Sequence, residues 1–223
     1  MASASVGHAG SARPGERLLA CVTAQGSAAH PYVTGESLGK GPHAARNLAD
    51  AVHFVCTLHG RYPGVIDHSA NRCAQPALQP WFNLALDAFG AERAFLARLA
   101  VAAGPIPSTP GAGDSEAAVL GQRHAIEMLA QSERRGCALG AALALALDWR
   151  SVRSVLDAAA IRFGVDRPDY RLDEPGAVRA LADGAAQEPP VERALLFGAE
   201  QVLIQHYRLW DLLEARQQAR GDG

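Results

Sequence analysis

Residues 114–163, DSEAAVLGQRHAIEMLAQSERRGCALGAALALALDWRSVRSVLDAAAIRF, form the longest apolar, proline-free stretch of the chain. Asp114 and Ser115 supply an N-cap, Glu116 puts negative charge in the first turn, and Ala, Leu, Met and Val recur up to Leu147. That pattern predicts one long helix over 115–147. Asp148-Trp149-Arg150-Ser151 reads as a joint, after which Val152, Val155, Leu156, Ala159 and Phe163 build a second helical face that Gly164 ends. Gly136 and Gly140 lie four apart and are followed by Ala141, Ala142 and Ala144. They flatten one side of the stretch, so a neighbouring helix can approach closely.

Working outward, Ala45, Leu48, Val52, Val55 and His59 share one helical stripe over 44–59, with Arg46, Asp50, His53 and Thr57 opposite and Gly60 as the stop. Tyr62-Pro63-Gly64 is a turn and 65–70 a short helix. Pro80 suits the first position of a helix over 81–102, whose core stripe includes Glu92. The proline-rich segment 104–111 is a stiff connector. Residues 164–190 read as a loop holding one short helix over 175–182, and Pro189-Pro190 opens a last helix over 191–218 with a fraying end. No alternating strand pattern occurs. The expected fold is all-α: a bundle of about five to six helices around a long central one. Residues 1–40 are expected to be a mostly disordered or extended N-terminal segment, with a Ser/Gly/Ala-rich tail at 1–16, and 41–223 a single helical-bundle domain.

With 223 residues and 48% hydrophobic content the chain can bury one substantial core. Its formal net charge is −2 and Arg134-Arg135 is the single adjacent basic pair, so the electrostatic footprint of a nucleic-acid binder is missing. The longest apolar run, 137–147, is far short of the ~20 residues that span a bilayer. Cys21, Cys56, Cys73 and Cys137 form no CxxC pair; they read as small buried hydrophobes in a reducing, cytoplasmic compartment.

Gly35-Glu36-Ser37-Leu38-Gly39 satisfies the GxSxG pattern of a serine hydrolase. That elbow needs a strand running into a helix above a parallel sheet, and no such context surrounds it, so it reads as a glycine-flanked loop. No P-loop, GxGxxG, HExxH or EF-hand pattern is present.

Ligand-capable side chains instead fall on predicted core stripes of several helices. His59 aligns with Leu48, Val52 and Val55, and Glu92 with Trp81, Ala88 and Leu99. His124 follows Ala117 and Leu120 with Glu127 three residues on, and His206 sits within the apolar face of the last helix. A carboxylate so placed requires a partner. Metal sites in bundle cores are built from such inward groups, so His59, Glu92, His124, Glu127 and His206 are candidate metal ligands. In architecture alone, over residues 44–218, the arrangement resembles the ferritin-like and haem-oxygenase-like helical families, which implies iron or haem as the cofactor. Di-iron bundles use Glu-x-x-His twice, whereas here the order is reversed at His124-x-x-Glu127 and nothing matches it around Glu200 and His206. No residue roles carry over. Two functions follow: a binding or interaction domain that meets a second copy or a partner helix through the Gly136/Gly140 face and the Trp210 region, and an oxidoreductase-like bundle with the inward His/Glu site.

Overall fold

The computed structural model describes residues 12–172 and 175–221. Among them there are nine α-helices and no strand: α1 (Pro14–Gln25), α2 (Pro31–Thr34), α3 (Ala44–His59), α4 (Val65–Arg72), α5 (Gln79–Ala103), α6 (Ala112–Ala130), α7 (Cys137–Phe163), α8 (Pro175–Ala185) and α9 (Pro189–Gly221). The all-α bundle is as expected, with more and shorter helices at its periphery. Among the described residues no helix is long and apolar enough to cross a membrane.

The core is built on α7 and α9. Gly136, Gly140 and Gly198 explain how close they come: a Cβ on Gly140 would lie 1.9 Å from the Leu195 carbonyl oxygen, and one on Gly198 2.0 Å from that of Cys137. Contacts step upward in both helices, Gly136 with Val191, Gly140 with Leu195 and Asp148 with His206, so the two run parallel. The flat face read from Gly136 and Gly140 is therefore filled by the chain's own last helix, and Trp210 is fully buried.

The organising stretch departs from its expected form. The helix breaks at residues 131–136, where Gly136 adopts a left-handed φ of 94° as the N-cap of α7 and the Ser132 hydroxyl accepts the Arg134 N–H. It does not break at Asp148-Trp149-Arg150-Ser151, which α7 runs straight through. Polar residues there suggested a joint; Asp148, Trp149 and Arg153 are instead buried and partnered in mid-helix.

The N-terminal segment departs too. Residues 1–11 of the expected tail lie outside the described residues, but α1 starts at Pro14 and docks on α8 and α9: the Gly15 N–H donates to Asp183 at 2.8 Å, Arg17 pairs with Glu192 at 2.7 Å, and Leu18 is fully buried. Nor does α9 fray after Arg216. Arg216 donates from Nε and Nη2 to both oxygens of Asp50 at 3.0 Å, and Arg220 donates to Asp50 at 2.5 Å and to Asn47 at 2.6 Å. Asp50, read as part of a polar stripe, is thus a buried anchor between α3 and α9.

A candidate proton-relay site

Asp148 on α7 is the origin of the site. A Cβ on Gly26 would lie 2.5 Å from its Oδ1, so glycine lets the backbone close over the carboxylate. The Ser27 N–H donates to Oδ1 at 2.7 Å and the Ser27 hydroxyl to Oδ2 at 2.6 Å, while the indole N–H of Trp210 donates to the Ser27 oxygen at 2.9 Å. Nδ1 of His206 lies 2.6 Å from Asp148 Oδ2, and its Nε2 lies 2.7 Å from Nε2 of His59. Trp210, Ser27, Asp148, His206 and His59 thereby form one buried chain drawn from α9, the turn after α1, α7 and α3.

The tautomers follow from donor and acceptor counting. An ionised carboxylate only accepts, so Nδ1 of His206 carries a proton. In the neutral pair Nε2 of His206 is then a lone pair, Nε2 of His59 donates to it, and Nδ1 of His59 is left bare; no hydrogen bond to that atom is found among the described residues. Aromatic edges fix the His59 ring, with Trp149 at 5.5 Å and Phe89 at 6.4 Å between centroids. Burial, and then the neighbouring His206, hold the His59 pKa well below its ordinary value. An added proton is therefore disfavoured on His59 itself.

His59 is 7% exposed. Its small exposure opens into a narrow cleft between α3, α4, α5 and α6, rimmed by Arg61, His68, Arg123 and Glu127, with room for about one water molecule. Arg123 Nε lies 3.4 Å from Glu127 but finds no well-aligned hydrogen-bond acceptor. Asp67 holds the α4 wall in place: it accepts the Gly64 N–H at 2.8 Å and the Arg93 guanidinium at 2.8 and 3.3 Å.

The chain belongs to the family of unknown function DUF6975. The family model matches residues 22–221, a span that contains every member of the buried chain from Ser27 to Trp210. No curated protein and no solved structure matches.

Of the five residues expected as metal ligands, His59 and His206 meet directly, and Glu127 stands at the rim of the cleft that His59 floors. Glu92 is buried but committed elsewhere: Trp149 Nε1 donates to it at 3.0 Å and Arg153 Nη1 at 2.5 Å. Burial raises its pKa against the lowering influence of Trp149 and Arg153. His124 is exposed on α6. Among the described residues no group of three or more His, Cys, Asp or Glu side chains is arranged to hold a metal ion.

Sequence reasoning missed Asp148, Ser27, Trp149 and Arg153. An aspartate in a continuous Ala/Leu helix was a legible signal, since a charge on such a segment needs a partner. Ser27 gave none. The GxSxG serine lies in an exposed loop after α2, where the Ser37 carbonyl accepts from Asn47 at 2.9 Å.

Proposed function

We propose that this protein performs general-base chemistry, activating a water held in the cleft floored by His59 for attack on a small molecule presented at the rim of that cleft. The observation that carries the reading is the continuous hydrogen-bonded path from Asp148 through His206 to His59. A water in the cleft gives its proton to Nδ1 of His59. His59 passes its Nε2 proton to Nε2 of His206, which then bears the positive charge beside the carboxylate. His59 is the proton acceptor; His206 and Asp148 position it and take up the charge. Arg61 and Arg123 at the rim suit an anionic group on the molecule being processed. Four free cysteines suit a reducing, cytoplasmic setting.

A second reading, iron held by His59 and His206, draws on the same pair. Asp148 on the far nitrogen of His206 is the partner that metal-bound histidines commonly have. Proton sharing is preferred because two nitrogens at ~2.0–2.1 Å from one tetrahedral ion lie about 3.3 Å apart, whereas these lie at 2.7 Å with no third ligand beside them among the described residues.

The test pairs imidazole nitrogen NMR with turnover of p-nitrophenyl acetate, a small activated ester. At neutral pH His206 should carry its proton on Nδ1 and His59 on Nε2. Ester hydrolysis should fall by about 10²-fold or more in His59→Gln, and Asp148→Asn should reverse the His206 tautomer. An unchanged rate in His59→Gln, or His206 protonated on Nε2 alone, defeats the proton relay. Stoichiometric Fe(II) uptake that His206→Gln abolishes would replace it with the metal reading.

A further inference from the structure

A second cavity lies on another side of α4 from the His59 cleft, and α4, the 131–136 loop and the start of α7 supply its donors. This cavity of about 430 Å³, open to solvent, is bounded by the end of α4, the 131–136 loop, the first turn of α7 and the start of α9. Arg72, Arg134 and Arg135 all line it, against one acidic side chain, Glu133. Arg72 spends one nitrogen on the Gln131 carbonyl at 2.5 Å and Arg135 one on Glu188 at 3.1 Å. Arg134 lies over the Phe197 ring at 5.3 Å and makes no ion pair among the described residues.

Two further features converge there. At the N-terminus of α7, which also lines the cavity, Gly136 provides no side-chain cap, and the N–H groups of Ala138 and Leu139 find no backbone acceptor among the described residues. Those amides sit at the positive end of a 27-residue helix. Independently, Ser69 lines the cavity while only 3% exposed, and its hydroxyl makes no hydrogen bond among the described residues. The residue is buried except where its unbonded hydroxyl opens on the basic cavity, and there it is available to donate to an occupant.

We propose that this cavity binds the phosphate group of a small organic phosphate, with Arg134, Arg135, the Ser69 hydroxyl and the first-turn amides of α7 as donors. Donors arriving from α4, the 131–136 loop and α7 match an anion that presents three oxygens better than a planar carboxylate with two. Leu78, Ala138, Leu139 and Val191 form an apolar wall, which suits the organic part. The site does not depend on the His59 reading.

Intact protein would be titrated by calorimetry with phenyl phosphate, inorganic phosphate and benzoate. Phenyl phosphate should bind saturably and more tightly than inorganic phosphate, and both more tightly than benzoate. Arg134→Ala and Ser69→Ala should each weaken phenyl phosphate by about tenfold or more, while Arg208→Ala, an exposed arginine on α9, leaves it unchanged. Arg134 is exposed and the Ser69 hydroxyl unbonded, so neither change threatens folding; thermal melts would check this. No saturable binding, equal binding of benzoate, or binding indifferent to both substitutions would overturn the site.

Discussion

The two ends of the contact between α3 and α9 solve the same problem in opposite ways. Near the start of α3, Asp50 is met by Arg216 and Arg220 from the end of α9; at its finish, His59 is met by His206. The first end is ionic and closed. Its carboxylate accepts a bidentate guanidinium and a second one, with Thr109 and Asn47 taking further donors. The second end pairs two imidazoles whose shared proton sits on His59 in the neutral pair and can pass to His206 only when Nδ1 of His59, the ring bordering a cleft, gains another. A fixed charge locked among fixed donors can only hold helices together, whereas a proton with two places to reside can also be handed on.

The sharpest way to break this comparison is to remove Asp50. Asp50→Ala leaves two buried guanidiniums without their carboxylate and should cost about 3–5 kcal/mol in urea unfolding. Arg216→Ala should cost less, because Arg220 still reaches Asp50. Equal losses, or a loss under about 1 kcal/mol for Asp50→Ala, would mean the clasp is not what fixes the end of α9. The frame shared by both ends is tested at Gly140, where Gly140→Ala drives a methyl into the Leu195 carbonyl. Overpacking of this kind costs about 1–3 kcal/mol, and a thermal melt unaltered by the change would refute the close approach of α7 and α9.

At the imidazole end, Asp148→Asn should cost about 1–3 kcal/mol, since Ser27 and His206 lose a charged acceptor in a buried setting. Its distinguishing effect is on His206, whose Nδ1 can then accept from the new amide, so that Nε2 becomes the donor. Chemical shifts of the ring nitrogens read this directly. A retained Nδ1–H in the variant would show that Asp148 does not set the tautomer.

Helical periodicity carried most of the fold: α3 was bounded at both ends by its stripe and Gly60, and the prolines marked where α8 and α9 begin, although α8 runs through Gly184 to Ala185 and α9 on to Gly221. The break between α6 and α7 was hidden because Gly136 resembles its neighbour Gly140, a packing glycine, whereas its left-handed φ makes it a cap. For the site, His59 and His206 were legible as polar residues on apolar stripes. Their partner Asp148 was mistaken for a hinge because periodicity registers a polar residue in mid-helix without saying what faces it. Arg216 and Arg220 were hidden similarly: near the end of a chain, arginines at i and i+4 look solvated until a carboxylate on α3 turns out to lie opposite them.

The finest contrast between the two ends is their response to pH. Burial and His206 depress the His59 pKa in the folded chain, while in the unfolded chain it returns to about 6.5. Below pH ~6.5 the unfolded state therefore binds a proton that folded His59 refuses, and stability contributed by this group falls as pH drops toward the folded pKa. The slope for one such proton is about 1.4 kcal/mol per pH unit. Urea midpoints measured between pH 5 and 8 should decline on the acid side in the wild-type protein, and decline less in His59→Gln. The NMR counterpart is a His59 resonance that stays in its neutral form through pH 6. Should His59 titrate near 6.5 with an unaltered stability slope in the variant, its ring would be responding to solvent rather than to His206, and the imidazole end would reduce to a second, weaker clasp.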